Sequence, residues 1–209
     1  MTAQEVMEIS PVVPVIALER AEDALPLAEA LLAGGVGVME ITLRTDAGLD
    51  AIKSVSDALP EMAVGAGTVV NGYECRKAVD YGAQFIFSPG ISQELIESAE
   101  DETIALIPGV ATASEVMLAQ NSGLHYCKLF PATVAGGTAA LKAFSGPFAS
   151  MRFCPTGGVT PENMHAFLSL PNVLCVGGSW IVPKPAIRAG DFAAVTRLCR
   201  EALGTIGDQ

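Results

Sequence analysis

Eight short apolar segments rich in β-branched residues alternate along the chain with longer segments of helical spacing. They follow one another at intervals of roughly 20–30 residues, the spacing that a repeated strand–helix unit needs. Most are nearly continuous in apolar character, as expected of strands buried on both faces. The predicted strands are Val12–Leu18, Val36–Thr42, Ala63–Gly67, Gln84–Ser88, Ile104–Pro108, Tyr126–Phe130, Met151–Pro155 and Val173–Gly177.

Segments with helical spacing occupy the intervals between these strands. In Ala21–Ala33 apolar residues recur at i, i+3 and i+7, so they share one helical face. Before the first strand, Ala3–Ile9 predicts an extra N-terminal helix at the base of the fold. Pro161 suits a first helical turn, with Thr160 as its predicted N-cap. Further helices are predicted over Thr112–Asn121, Gly136–Phe144 and Pro161–Leu170.

Repeated strand–helix units without a linker or low-complexity tract predict one α/β domain spanning residues 1–209. Eight such units indicate a (β/α)₈ TIM barrel, and a doubly wound open sheet is the structural alternative. Half of the residues are apolar and only 17% are charged, which suffices for a large buried core.

Charge and cysteine content exclude several classes of partner and location. A net charge of −11 argues against nucleic acid and anionic membrane surfaces, because no Lys/Arg excess could neutralise phosphates. A small anion remains compatible, since backbone N–H groups can bind it locally. Five cysteines without a CxxC pair, no signal peptide and no apolar stretch of ~18–20 residues indicate a cytoplasmic protein.

Lys128 is the one lysine of five that lies within a predicted strand. In a barrel, catalytic groups sit at the C-terminal ends of strands. Burying an ammonium group is costly unless it is paired or loses its proton, and a neutral amine is the nucleophile of Schiff-base chemistry. Lys128 is therefore a candidate nucleophile; an outward-pointing lysine or a structural ion pair are the alternatives.

Two further charged residues follow from the second predicted strand. Glu40 lies in an apolar run, where a carboxylate can transfer protons or can simply pair with Lys128 or Arg44. Arg44 could hold a carboxylate through two parallel N–H bonds, or it could be a solvated loop residue.

Glycine pairs follow the seventh and eighth predicted strands, in Thr156-Gly157-Gly158 and Gly177-Gly178-Ser179. The loops after these two strands form the usual phosphate site of such barrels. Ordinary tight turns would also explain the glycines.

No metal or cofactor is predicted, because His125 and His165 lack the spacing of metal ligands and no His/Asp/Glu cluster occurs. The stretch Gly65-Ala66-Gly67-Thr68 matches neither common nucleotide-binding pattern. Phe130 and Trp180 adjoin candidate loops, although such rings more often serve packing than ligand contact.

Motifs in this order resemble the bacterial 2-keto-3-deoxy-6-phosphogluconate (KDPG) aldolase and 4-hydroxy-2-oxoglutarate (KHG) aldolase family, over about residues 12–203. The stretches that carry the resemblance are Val13-Pro14-Val15-Ile16, Glu40-Ile41-Thr42-Leu43-Arg44-Thr45, Gly65-Ala66-Gly67-Thr68-Val69, Ser88-Pro89-Gly90, Lys128-Leu129-Phe130-Pro131-Ala132, Phe153-Cys154-Pro155-Thr156-Gly157-Gly158 and Gly177-Gly178-Ser179-Trp180.

The resemblance implies a metal-free homotrimer of (β/α)₈ barrels that cleaves KDPG to pyruvate and glyceraldehyde 3-phosphate. It also implies possible cleavage of 4-hydroxy-2-oxoglutarate to pyruvate and glyoxylate. Lys128 matches the Schiff-base lysine and Glu40 the general acid/base. The other implied positions are Arg44, Thr68 and Thr156 for the keto-acid carboxylate, Pro89 and Phe130 for the substrate chain, and Gly157, Gly158, Gly178 and Ser179 for the phosphate.

Other functions remain open at this point. The same chemistry on the galactonate epimer is the nearest, followed by a phosphate-binding barrel isomerase or epimerase that uses Lys128 only as an acid. A sugar-phosphate sensor and a metal-dependent pyruvate aldolase are more distant alternatives. The stretch 133–135 varies in the family, so it leaves substrate preference open.

Overall fold

The computed structural model describes residues 1–207 as an α/β fold in which parallel strands alternate with helices. The strands are β1 (Val12–Ile16), β2 (Val38–Thr42), β3 (Ala63–Gly67), β4 (Phe85–Phe87), β5 (Ala105–Ile107), β6 (Gly109–Val110), β7 (Tyr126–Leu129), β8 (Arg152–Pro155) and β9 (Val176–Gly178). The α-helices are α1 (Ala3–Glu8), α2 (Ala24–Ala33), α3 (Gly48–Ala58), α4 (Gly72–Asp80), α5 (Gln93–Asp101), α6 (Ala113–Asn121), α7 (Gly137–Phe144), α8 (Met164–Leu168), α9 (Lys184–Ala189) and α10 (Phe192–Gly207), and Ala21–Asp23 forms a 3₁₀ turn.

The strands form one curled parallel sheet in two hydrogen-bonded parts. One part has the order β5-β4-β3-β2-β1-β9 and the other the order β6-β7-β8. Pro108 alone separates β5 from β6, so one segment pairs with β4 on one side and with β7 on the other. On the opposite side, isolated parallel bridges join Phe153 to Val173 and Thr156 to Gly177.

Nearly every strand residue is buried, because helices cover the outer face and side chains fill the inner one. All five residues of β2 and all five of β3 are buried. Gly65 on β3 makes room for the ring of Phe85, since a Cβ atom there would lie 2.3 Å from ring carbons. Large and small residues thus interlock where β3 and β4 meet.

Helix α6 begins with a capping box. Thr112 accepts a hydrogen bond from the N–H of Glu115, and the Glu115 carboxylate accepts bonds from the N–H groups of Thr112 and Ala111. Burial alone would raise the pKa of Glu115, but these hydrogen bonds outweigh it and lower that pKa below its usual 4.5. The cap fixes the start of the helix that connects β6 to β7.

The eight predicted strands all occur in the structure, with two differences. The fifth ends at Ile107, before Pro108, which has no N–H to donate to a ladder, and β6 follows beyond the predicted bounds. The eighth begins at Val176, because Val173 makes only an isolated bridge.

The helix predicted over Pro161–Leu170 is too long, and Thr160 as its N-cap is wrong. Helix α8 covers only Met164–Leu168. The N–H of Thr160 donates to Asn163 Oδ1, while the Thr160 carbonyl accepts from Met164, so residues 160–163 form a turn. Lys184 begins α9.

All five cysteines are buried and free. Burial raises the pKa of Cys127 to about 12 and that of Cys199 to about 11, so these thiols stay protonated at neutral pH. Within residues 1–207, no helix has both the length and the apolar character required to cross a membrane.

Replacing Thr112 with Ala should lower the free energy of unfolding by about 1 kcal/mol, because the cap of α6 is lost. Ser114→Ala, which removes an exposed hydroxyl from the same helical turn, is the control and should change it far less. Because the Glu115 pKa is lowered in the folded state, its contribution exists above pH 4.5 and is lost as the pH falls through the lowered pKa. Denaturant unfolding at neutral and acidic pH would measure both effects; equal effects of the two substitutions would contradict the capping argument.

Candidate active site

A buried ion pair between Lys128 and Glu40 lies inside the curled sheet. The Lys128 Nζ atom is 3.0 Å from Glu40 Oε1 and 3.3 Å from Oε2. Lys128 is 4% exposed and Glu40 is 1% exposed. Of the five ion pairs within residues 1–207, this is the one in which both partners are buried.

The two residues come from strands that share no hydrogen bonds. Glu40 lies on β2, which pairs with β1 and β3, whereas Lys128 lies on β7, which pairs with β6 and β8. Their side chains therefore meet across the space that the curled sheet encloses. An outward orientation of Lys128, one of the alternatives left open by the sequence, is wrong.

Aromatic rings complete the surroundings of the amine. The Nζ atom lies 5.2 Å from the centroid of the Phe87 ring and 5.5 Å from that of Phe130. The ring faces attract a positive charge while excluding water. The amine thus has one carboxylate partner and two apolar walls.

Gly67, at the end of β3, makes room for the carboxylate. A Cβ atom at this position would lie 2.2 Å from Glu40 Oε1 and 2.5 Å from its Cγ. The adjacent Thr68 is half-buried with a φ of 60°, a conformation that β-branched residues rarely adopt. Such a strained residue at a strand end is typical of a functional site.

The loop after β2 is held by two threonine hydroxyl groups. Thr42 Oγ1 donates to the Ile16 carbonyl at 2.8 Å, and Thr45 Oγ1 donates to the Leu18 carbonyl at 2.5 Å. These bonds fix both sides of Arg44, whose own side chain is exposed.

The loop carrying Pro89 is shaped by two neighbours. The hydroxyl of Ser88 donates to the Gly90 carbonyl at 2.6 Å. A Cβ atom at Gly109 would lie 2.3 Å from the Pro89 carbonyl carbon and oxygen, so that glycine allows the loop to pack closely. Half-buried Pro89 therefore has a defined position at the mouth of the sheet.

Thr156 is buried at the end of β8, opposite Gly177. A Cβ atom at Gly177 would lie 2.1 Å from Thr156 Oγ1, so the small residue makes room for the hydroxyl. The loop then turns through Gly157 and Gly158, with φ angles of 96° and 78°. Successive backbone N–H groups in turns of this kind can bind an anion.

Among residues 1–207, no group of three or more His, Cys, Asp or Glu side chains could hold a metal ion. The geometry provides a buried amine, a carboxylate beside it and a glycine turn at the same end of the strands. This arrangement can form a covalent adduct with a carbonyl compound and transfer protons around it.

Comparison with known proteins is consistent with that chemistry. Residues 3–198 match the family model "Aldolase: KDPG and KHG aldolase". The chain belongs to the KDPG and KHG aldolase family. The KHG/KDPG aldolase of Escherichia coli K12 is 48% identical over 202 residues, which cover 97% of this chain and 95% of that protein. The 2-dehydro-3-deoxy-phosphogluconate aldolase of Pseudomonas aeruginosa is 52% identical over 192 residues, or 92% and 87% of the two chains.

A solved member of the aldolase family has the same fold. The crystal structure of KDPG aldolase from Legionella pneumophila, with pyruvate captured as a covalent carbinolamine intermediate, is 46% identical to this chain. The match has a TM-score of 0.95 and covers 97% of this chain and 98% of that one.

Two residues of this aldolase-family site were missed in the sequence. Phe87 lies in an apolar run, where a ring facing a lysine cannot be distinguished from a core ring. Gly67 was considered only as part of a possible nucleotide loop. A glycine inside a strand is nevertheless a sign of close approach by another group, and that signal could have identified it.

Replacing Gly67 with Ala should displace the Glu40 carboxylate from Lys128 and lower the rate of aldol cleavage by about 10²-fold, because small displacements of a catalytic group are costly. Gly204→Ala is the matched control, since nothing lies within 4 Å of its added methyl group. Steady-state cleavage assays with thermal unfolding of both variants would test this. A folded Gly67→Ala variant with the wild-type rate would contradict it.

Proposed function

We propose that this chain is a Schiff-base aldolase that cleaves KDPG to pyruvate and glyceraldehyde 3-phosphate and also accepts 4-hydroxy-2-oxoglutarate. The observation that carries the proposal is the buried contact of 3.0 Å between Lys128 Nζ and Glu40 Oε1. Support comes from relatives named for this activity and from the covalent pyruvate adduct of the Legionella protein.

The reaction begins with transfer of a proton from Lys128 to Glu40. The neutral amine attacks the C2 ketone, and Glu40 returns a proton to the carbinolamine oxygen so that water leaves and a protonated imine forms. The imine accepts the electron pair of the C3–C4 bond once the C4 hydroxyl loses its proton to Glu40, directly or through a water. The aldehyde departs, the remaining enamine is protonated at C3, and hydrolysis frees pyruvate.

Arg44, Thr68 and Thr156 would hold the keto-acid carboxylate, and Pro89 and Phe130 would pack against the substrate chain. Thr156 is buried directly after β8, and its N–H donates to the carbonyl of Leu129, the residue that follows Lys128. Phe130 already faces the amine. An orientation enforced at both ends of the substrate raises the rate by keeping C2 against the nucleophile.

Gly157, Gly158, Gly178 and Ser179 would bind the phosphate. Free N–H groups in left-handed turns form a concave site that binds anions without a net positive charge. Gly178 has a further steric reason to lack a side chain, since a Cβ atom there would lie 1.9 Å from the Trp180 ring. Binding energy from this remote group would help orient the reacting carbons.

We also infer that residues 1–207 form one (β/α)₈ barrel domain, with α1 as an extra helix at its base and β5 and β6 as one interrupted strand. Residues 208–209, which the predicted domain includes, lie outside the described residues. The bridges between β8 and β9 support closure, as does the contact of Lys128 with Glu40 across the interior. Tyr126 Oη donates to Gln4 Oε1 at 2.7 Å, which ties α1 to the N-terminal end of β7. By family membership we propose a cytoplasmic homotrimer.

Borohydride reduction in the presence of pyruvate should leave a stable adduct on the peptide that contains Lys128, because reduction traps an imine. Lys128→Ala should give no adduct and no cleavage, whereas Lys142→Ala, a change at an exposed helical lysine, should give both. Intact and peptide mass spectrometry would locate the label. A folded wild-type protein without any adduct would overturn the Schiff-base proposal.

Replacing Glu40 with Gln should preserve the fold but slow cleavage by roughly 10²–10⁴-fold, since general acid/base catalysis is lost while size is kept. Rates measured on KDPG and on its galactonate epimer would also establish the preference at C4. A Glu40→Gln enzyme that works at the wild-type rate would remove Glu40 from the mechanism.

A further inference from the structure

A pocket lies at the C-terminal end of the strands, next to the loop that carries Arg44. It has a volume of about 390 Å³ and is lined by residues from the end of β1, the loop after β2 and the segment after β9. Arg44, Ser179 and Lys184 are the polar side chains of its lining. The pocket therefore combines two cations and a hydroxyl group at an open rim.

Neither cation of this pocket makes an ion pair. Within residues 1–207, no carboxylate lies within ion-pair distance of Arg44 or Lys184. The neighbouring Arg20 differs, because it pairs with Asp23 at the other side of the rim. In a chain with a net charge of −11, two unpaired cations in one pocket form a local positive site.

Glu19 is the carboxylate that could have neutralised Lys184, but it is engaged elsewhere. It accepts hydrogen bonds from both Nε and Nη2 of Arg188. The hydrogen bond from Arg188 lowers the pKa of Glu19, and the charges of Arg188 and Lys184 lower it further. Arg188 thus donates to both carboxylate oxygens of Glu19, so the N–H groups of Lys184 remain available to another acceptor.

The two cations of the pocket can be assigned separately. Arg44 has been assigned above to the keto-acid carboxylate. Lys184 is then the remaining cation of the pocket, and it shares the lining with Ser179, which follows the glycine pair at the end of β9. Pro183 and Pro185 flank Lys184 and restrict its backbone. An ammonium group held beside a phosphate site adds a full positive charge, which backbone N–H groups lack.

We propose that Lys184 binds the phosphate of the substrate together with Ser179, and so determines the preference for phosphorylated over unphosphorylated keto acids. This assignment deepens the proposed function and rests on it. It makes Lys184 a specificity-determining residue, distant from the bonds that form and break.

The test compares Lys184→Gln with Lys142→Gln, which removes the same charge from an exposed position on α7. For Lys184→Gln, kcat/KM on KDPG should fall about 10- to 100-fold, mostly through KM, as expected for loss of one charge-assisted bond. The value for unphosphorylated 2-keto-3-deoxygluconate should stay unchanged, as should borohydride trapping of pyruvate. Lys184→Arg should restore most of the preference, and Lys142→Gln should behave as the wild type.

Equal losses on both substrates, or no loss on KDPG, would overturn the assignment of Lys184. Calorimetric titration with inorganic phosphate gives a readout that does not depend on turnover, and Lys184→Gln should bind this probe more weakly than Lys142→Gln. Equal phosphate binding by the two variants would also overturn it. A wild-type protein that traps no pyruvate would instead refute the aldolase proposal, so the two failures are distinguishable.

Discussion

The contact between Lys128 and Glu40 is the constraint on which the rest of the site depends. Two charges removed from water are tolerated only with good mutual geometry, and removal of one partner typically costs about 3–5 kcal/mol. β2 and β7 must therefore hold their side chains at 3.0 Å across the interior although no ladder joins them. The glycine at position 67 and the rings of Phe87 and Phe130 shape the remaining space around this pair.

Much of the architecture was predictable because burial leaves a direct trace in sequence. Strands covered on both faces are continuous apolar runs, and a lysine inside such a run is conspicuous. The contact of Lys128 with Glu40, 88 residues apart, required the three-dimensional path of the sheet. The role of Phe87 was not predictable, because aromatic rings are ordinary in cores. The start of the helix after Thr160 was not predictable either, because the bond from the Thr160 N–H to the Asn163 side chain leaves no periodic signal.

The distribution of charge explains how an acidic protein can be suited to an anionic substrate. Three cations at the surface pair with carboxylates: Arg20 with Asp23, Lys53 with Asp57, and Arg188 with Glu19. At the mouth of the sheet, Arg44 and Lys184 make no ion pair and line one pocket together with Ser179. Overall negative charge favours solubility, and the local concentration of donors provides the attraction.

The burial of all five cysteines has a practical consequence for studying this molecule in motion. Thiol-directed dyes attack thiolates that solvent can reach, and the native sulfur atoms lie within the packed interior. A single cysteine introduced on an exposed helix would thus be the preferred attachment point for a fluorophore or spin label. Distances between the strand ends and the surrounding helices could then be measured in a protein that keeps its five native cysteines, which fill the core.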